Sequence, residues 1–201
     1  MRLPDYYDQI PSLRLFDPLA AMLGAARDGL LEYHYADAVK LAGHSCPTVA
    51  GAWLLTRRAL ARLYPDSLPL RGGMRVELRD AQAAGTTGVV GNVMGLITGA
   101  AGEGGFKGLG GRLGRANLLN YGVQLPAEVR FTRLDTGASA SLSYHPERVP
   151  PDPSLPGLMQ RLLAGDADDA ARQTFAHLWQ ERVRRILLEH ADDPAVVESL
   201  D

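Results

Sequence analysis

The sequence predicts an α+β fold, with helices packed on a small antiparallel sheet and a helical appendage at the C-terminal end. Three observations carry that prediction. Apolar residues recur at helical spacing from Pro47 to Tyr64 and again from Phe175 to Leu187. Apolar and polar residues alternate over Met74 to Arg79, Glu128 to Leu134 and Ala138 to Tyr144, as in strands with one buried face. The last two of these runs are joined by Asp135-Thr136-Gly137, which is hairpin chemistry, so the sheet is expected to be antiparallel.

Composition sets the outer limits. A chain of 201 residues is long enough for one good core, or for a core domain with a small addition. With 46% hydrophobic and 22% charged residues it has the make-up of an ordinary globular protein. Its 21 basic and 23 acidic residues leave a net charge of −2, which offers no field to recruit a nucleic acid. The single cysteine excludes an internal disulfide. Met1 to Gln9 is polar and carries Asp5 and Asp8, so no signal peptide and a cytoplasmic location are expected. No stretch approaches the roughly 20 apolar residues of a membrane span, so no membrane partner is expected.

Asp17-Pro18 opens a helix, with an acid at the N-cap and proline at the first position, and Leu19, Met22, Leu23, Ala26 and Leu30 follow at helical spacing. A short helix from Asp37 to Ala42 comes next. From Pro47 the apolar positions Val49, Ala50, Trp53, Leu54, Leu60 and Ala61 mark a central helix, ended by Pro65. Met74 to Arg79 is a strand. Val89 to Ile97 is a short helix whose Gly91 and Gly95, four apart, give it a smooth side, for close packing or for a ligand. After the hairpin, Pro150, Pro151, Pro153 and Pro156 make a stiff extended linker over residues 149–157. That linker divides a core of residues 1–148 from a helical appendage of residues 158–201. Leu155 to Ala164 and Asp168 to His190 are its helices, and the apolar stripe of the second must be buried against the core or against a second copy of the chain. Arg182, Arg184 and Arg185 read as a solvated face, His177 as a surface residue, and His190 as a last-turn residue suited to the helix dipole.

Chemistry concentrates at Gly43-His44-Ser45-Cys46-Pro47, which holds the only cysteine. Gly43 suits the left-handed cap of one helix, and Cys46-Pro47 suits the N-cap and first position of the next. A thiol there faces unpaired N–H groups and the positive end of the helix dipole. Imidazole nitrogen and thiolate sulfur are preferred ligands of zinc and similar transition metals, so His44 and Cys46 are the candidate metal ligands. A third ligand is sought among His34, Asp80 and His145, or from a dimer partner. An open coordination position would make the site catalytic in form; the alternatives are a non-catalytic metal-responsive accessory role, or a metal-free Cys46 nucleophile activated by His44. A purely structural His-x-Cys is the fourth reading.

Eight glycines lie between Gly99 and Gly114. Neither the Walker loop nor the dinucleotide fingerprint is met, because Lys107 is followed by Gly108 and the third fingerprint glycine falls on Leu113 or Lys107. The segment is expected to be a flexible loop or lid, with Lys107, Arg112 and Arg115 available to a small anionic ligand.

Taken in order, Gly43-His44-Ser45-Cys46-Pro47, Thr98-Gly99, Asn117-Leu118 and Tyr121-Gly122 resemble the pattern of the FmdE-like family, named for a component of formylmethanofuran dehydrogenase, over about residues 17–146. The resemblance implies an α+β core, homodimers, and a metal site, zinc or similar, on His44 and Cys46. It also has departures. Where the family often has a histidine before the motif and a cysteine and an aspartate before Thr-Gly, this chain has Ala42, Val89 and Asn92. Ala100 and Val123 replace a further cysteine and a lysine, and the cysteine-rich terminal finger of many members is absent.

Overall fold

The computed structural model describes residues 3–200; Met1 and Arg2 of the polar N-terminal run, and Asp201 of the expected appendage, lie outside them. Strands β1 (Leu13–Phe16) and β2 (Leu30–Tyr33) pair antiparallel as a separate ribbon. Between them runs α1 (Pro18–Leu23), capped by the Asp17 carboxylate, which accepts from Leu19 N at 2.9 Å and Ala20 N at 3.1 Å. The helical spacing that continues to Leu30 does not hold. Gly24 takes φ 67° and closes α1, and Leu30 opens β2. The glycine cap ends the helix before the periodicity does.

Helices α2 (Tyr35–Ala42) and α3 (Pro47–Leu63) flank the His-x-Cys turn as expected. α3 is the central helix and buries Val49, Ala50, Trp53, Leu54, Ala59 and Leu60. Gly51 is its point of closest approach to the sheet, since a Cβ there would overlap the Tyr144 ring. The main sheet has the spatial order β4 (Leu119–Asn120), β3 (Met74–Leu78), β5 (Val129–Arg133), β6 (Ser139–Tyr144), β7 (Val197–Ser199). All its pairings are antiparallel except the short β4, which runs parallel to β3. Register places Val76 opposite Phe131 and Phe131 opposite Ala140, a fully buried row. Helix α4 (Thr87–Thr98) packs on α3 and on β3.

The C-terminal segment is more than an appendage. α5 (Leu155–Ala164) and α6 (Asp169–Arg184) form the expected helix pair, and α6 continues through a π turn, Arg185–Glu189. Val183, Ile186, Leu187, Val196 and Val197 are then buried in the same core as α3, and β7 extends the sheet beside β6. Of the two burials expected for the apolar stripe of α6, against the core or against a second copy, the residues beyond 149–157 take the first. A buried stripe and a strand with free N–H groups are both completed by the main sheet. The arginines explain how the proline-rich stretch is held: Arg182 donates to Val149 O at 2.8 Å and Pro146 O at 2.9 Å, and Arg185 to Pro150 O at 3.3 Å. Arg184 pairs with Glu181 and Glu189.

Candidate functional site

The motif turn is built as its residue types dictate. Gly43 sits at φ 76°, Cys46 is the N-cap of α3, and Pro47 follows at the first turn. The turn is clamped from both sides. Ser45 Oγ lies 3.1 Å from the Tyr35 hydroxyl, and Ser45 O accepts from Trp179 Nε1 at 2.9 Å and Gln180 Nε2 at 3.2 Å. Burial pushes the Tyr35 hydroxyl well above the ordinary tyrosine range.

His44 is exposed, and its Nδ1 lies 2.9 Å from Ala42 O. A carbonyl only accepts, so Nδ1 carries the proton and Nε2 of the neutral ring keeps its lone pair. Cys46 is 8% exposed, and its thiol makes no capping hydrogen bond to the helix. Among the described residues no group of three His, Cys, Asp or Glu side chains converges on a metal-sized site. None of the three candidate third ligands joins the pair: His34 caps α2, its backbone N–H donating to Asp37, Asp80 lies 3.3 Å from Arg79, and His145 Nε2 lies 3.0 Å from Glu198. Two donors do not complete a zinc site, which takes at least three protein ligands. The described residues of one chain do not complete a zinc site.

The departures from the family pattern meet in space. Ala42, Val89 and Asn92 border one cavity of about 160 Å³, with Leu41 and Val93 as its other walls. The three positions at which the resemblance expects imidazole, thiol and carboxylate thus lie around one small space, and here they line it with two aliphatic side chains and a carboxamide.

A larger cavity, about 810 Å³, opens beside the C-terminal half of α4 and the glycine-rich segment, and Leu41 and Asn92 border it as well as the smaller one. Its floor carries a buried charge cluster. Asp17, 3% exposed, receives Arg71 Nη1 on Oδ2 at 2.8 Å and Arg115 Nη2 on Oδ1 at 2.7 Å. Arg71 spends its other nitrogens on Ile97 O at 3.1 Å and Leu96 O at 3.0 Å, so it also holds the last turn of α4. Arg115 is different. It is 6% exposed, yet its Nε and Nη1 have no hydrogen-bond partner. Glycines at 72 and 99 admit it, because a Cβ at either would crowd its guanidinium. Burial would raise the Asp17 carboxyl, but the hydrogen bond from Arg71, that from Ala20 N and the charge of Arg115 outweigh it and hold the group below the usual carboxylate range. Burial lowers the Arg115 guanidinium, partly offset by Asp17. One carboxylate between two guanidinium groups leaves the cluster net positive.

Around this floor the glycines of α4 mostly serve packing. A Cβ at Gly91 would overlap the Tyr121 hydroxyl, and one at Gly95 would meet Ala100 O at 2.7 Å. That Tyr121 hydroxyl is itself buried without a partner. The glycine-rich segment is tied to its surroundings rather than free: Ala101 N donates to Arg115 O at 3.0 Å, Arg115 N to Phe106 O at 2.7 Å, and Asn117 N to Gly102 O at 3.1 Å. Of the three cations expected to serve a ligand, Arg115 borders the cavity; Lys107 and Arg112 are exposed on the loop and do not. Nothing in the sequence marks Arg71 or the second role of Asp17. Asp17 lies 54 positions from Arg71 and 98 from Arg115, and no local pattern links them. No protein-family model, curated protein or solved structure matches this chain, and the functional reading rests on its own residues.

Proposed function

We propose that this protein binds a small anionic molecule in the large cavity beside α4, with Arg115 as its anchor. One observation carries the reading: the floor of the cavity is a net positive cluster, Arg115 and Arg71 with only the Asp17 carboxylate between them. Arg115 Nε and Nη1 are unpartnered but lie beneath the cavity surface, so an anion pairs them only with a small shift of the guanidinium, which then removes a cost of about 1–3 kcal/mol, more when charged. Asn117 and Asn120 border the same space and offer neutral hydrogen bonds. Glu103 also borders it but is exposed, where water screens its charge. The test is a titration with acetate and with inorganic phosphate, following the Arg115 Nε–H resonance by NMR. Saturable displacement of that resonance is expected. An unmoved resonance up to tens of millimolar of either anion (on the order of a −2 to −3 kcal/mol limit) overturns the reading.

A second reading rests on His44. Its Nδ1 contact with Ala42 O leaves Nε2 in the form that ligates metals, the backbone carbonyl acting as the outer partner that fixes the ring. We therefore retain a zinc-type ion on His44 and Cys46, with the missing ligands supplied by a second copy of the chain in a homodimer. The convergence of Ala42, Val89 and Asn92 supports the resemblance to the FmdE-like family, in a member altered at those positions. A lone unpaired thiol is consistent with a cytoplasmic protein; among the described residues no helix is long and apolar enough to cross a membrane. Elemental analysis of protein purified without added metal, beside Cys46→Ser, decides it. Metal at half an equivalent or more per chain, lost in the variant, supports the reading; none in either, with both folded, ends it.

A further inference from the structure

We infer that a second site, independent of the anion reading, takes a small primary ammonium: a partly open cavity of about 190 Å³ between α3, the start of α4 and the β5–β6 pair, with Glu128 as its charged contact.

The cavity follows from local patterns. Thr48, Ala52 and Leu55 recur at i, i+4 and i+7 and so share one face of α3. Thr86, the N-cap of α4, and Val90 stand four apart in the same way. On the sheet side, Glu128 N donates to Ser143 Oγ at 3.1 Å, and Tyr144 N donates to Glu128 Oε2 at 3.1 Å. The second bond fixes the carboxylate at Tyr144, whose hydroxyl donates to Pro47 O at 3.0 Å and ties the sheet to the first turn of α3. None of the residues around this space borders the larger cavity.

Its lining is mixed, and the mixture suits an alkylammonium. Pro47, Ala52, Leu55, Val90 and Pro146 offer apolar contact. Three oxygens of bordering residues have no hydrogen-bond partner among the described residues: Glu128 Oε1, Thr48 Oγ1 and Thr86 Oγ1. Glu128 Oε1 and Thr48 Oγ1 are not fully buried atoms, and Thr86 is exposed, so all three can be reached from solvent. A primary ammonium carries three donors and no acceptor. The volume somewhat exceeds the roughly 150 Å³ that holds a benzene ring, which leaves room for about six heavy atoms.

Charge decides between an amine and an alcohol of the same shape. Around Glu128 stand Arg79, Asp80 and His145. Arg79 and Asp80 answer each other at 3.3 Å, and His145 lies between Glu147 at 3.4 Å and Glu198 at 3.0 Å. The N-terminal ends of α3 and α4 oppose a cation with about half a charge each. Against them stands the full charge of Glu128, with Glu147 and Glu198 beyond His145, so the balance favours a cation. Burial pushes the Glu128 carboxyl above the usual carboxylate range, and the Tyr144 N–H, Arg79 and His145 offset this only in part. A carboxylate in that state gains from a ligand that brings its own positive charge.

The test is a titration with butylammonium chloride, and with butanol and sodium butyrate as neutral and anionic counterparts, at neutral pH and constant ionic strength, following the Tyr144 backbone amide by NMR. Saturable displacement by butylammonium is expected, at about tenfold lower concentration than by butanol, with none by butyrate. Glu128→Gln keeps an acceptor for Tyr144 N and should bring butylammonium to the level of butanol. Thr86→Leu loses no capping bond, since the Thr86 side chain makes none, and its bulk should weaken butylammonium by about tenfold. Butanol or butyrate binding as well as butylammonium overturns the inference, and so does a Tyr144 amide unmoved by about 50 mM butylammonium. Unchanged butylammonium affinity in Glu128→Gln puts the amine elsewhere and overturns it too. Should Glu128→Gln not fold, Thr86→Leu decides in the same way.

Discussion

Replacing Asp17 by asparagine isolates the charge of one carboxylate in the floor of the large cavity. Asparagine caps a helix about as well as aspartate, so α1 keeps its N-terminal bonds. What is lost is the counter-charge of two arginines. Arg71 loses Oδ2 as the acceptor of its Nη1 but retains the Leu96 and Ile97 carbonyls and is partly exposed, so water can take up part of the cost. Arg115 keeps only a hydrogen bond to the amide Oδ1 that also caps α1; it loses its counter-charge, and its other nitrogens are already unpaired. Removing one member of a buried pair costs about 3–5 kcal/mol, and the surviving amide oxygen places the expected value near 3 kcal/mol, about a 150-fold shift in the folding equilibrium. For a chain of this length that is a fall in Tm of about 6–12 °C. Urea unfolding and calorimetry measure both quantities. The same change removes the only negative charge of the cluster, so acetate should stabilise the variant more than the parent. A loss under about 1 kcal/mol with an unchanged urea slope, or equal stabilisation by acetate, would show that the carboxylate is not what holds Arg115.

Three further outcomes are expected. Because the Asp17 carboxyl titrates lower in the folded chain than in the unfolded one, its stabilisation is complete above the unfolded value near pH 4 and is lost as pH falls through the folded value. The difference in stability between the parent and Asp17→Asn should therefore be constant from about pH 5 to 8 and shrink steadily below about pH 4, as urea midpoints measured across that range will show. Gly51→Ala should destabilise by about 1–3 kcal/mol despite alanine's better helix propensity, since its Cβ would overlap the edge of the Tyr144 ring, so ring or helix must shift; a stabilised variant in urea would mean the ring yields freely. Trp179→Phe removes the indole donor to Ser45 O and should cost about 1 kcal/mol, with faster amide exchange in the motif turn as its local signature.

What the sequence made legible was local. The His-x-Cys turn was readable because Gly43 and Pro47 each have one conformational use, and the structure gives them that use. The hairpin at Asp135-Thr136-Gly137 and the helix of Val89 to Ile97 were readable for the same reason. The first helix was over-extended because Leu30 keeps the 3.6-residue period by chance, while Gly24 ends the helix by a backbone conformation that periodicity cannot register. The charge cluster was invisible for a different reason. Asp17, Arg71 and Arg115 are each ordinary in their own neighbourhoods, and only the return of the chain after α4 brings them together. Reading Arg182 and Arg185 as a solvated face failed likewise, since the carbonyls they serve belong to a proline-rich stretch with few amide donors or ladder partners of its own.

The two outermost strands of the main sheet bear on how copies of this chain can meet. β4 is two residues long and β7 three, so neither border presents a row of free backbone groups long enough to template another strand. Joining two sheets edge to edge would gain only a few hydrogen bonds on either side. A homodimer is then not expected to form through the borders of this sheet, and one built from side-chain surfaces on helices or loops will respond to single surface substitutions there. Sedimentation of variants altered on α2 and α6, beside variants altered in β4 and β7, would separate the two modes of assembly.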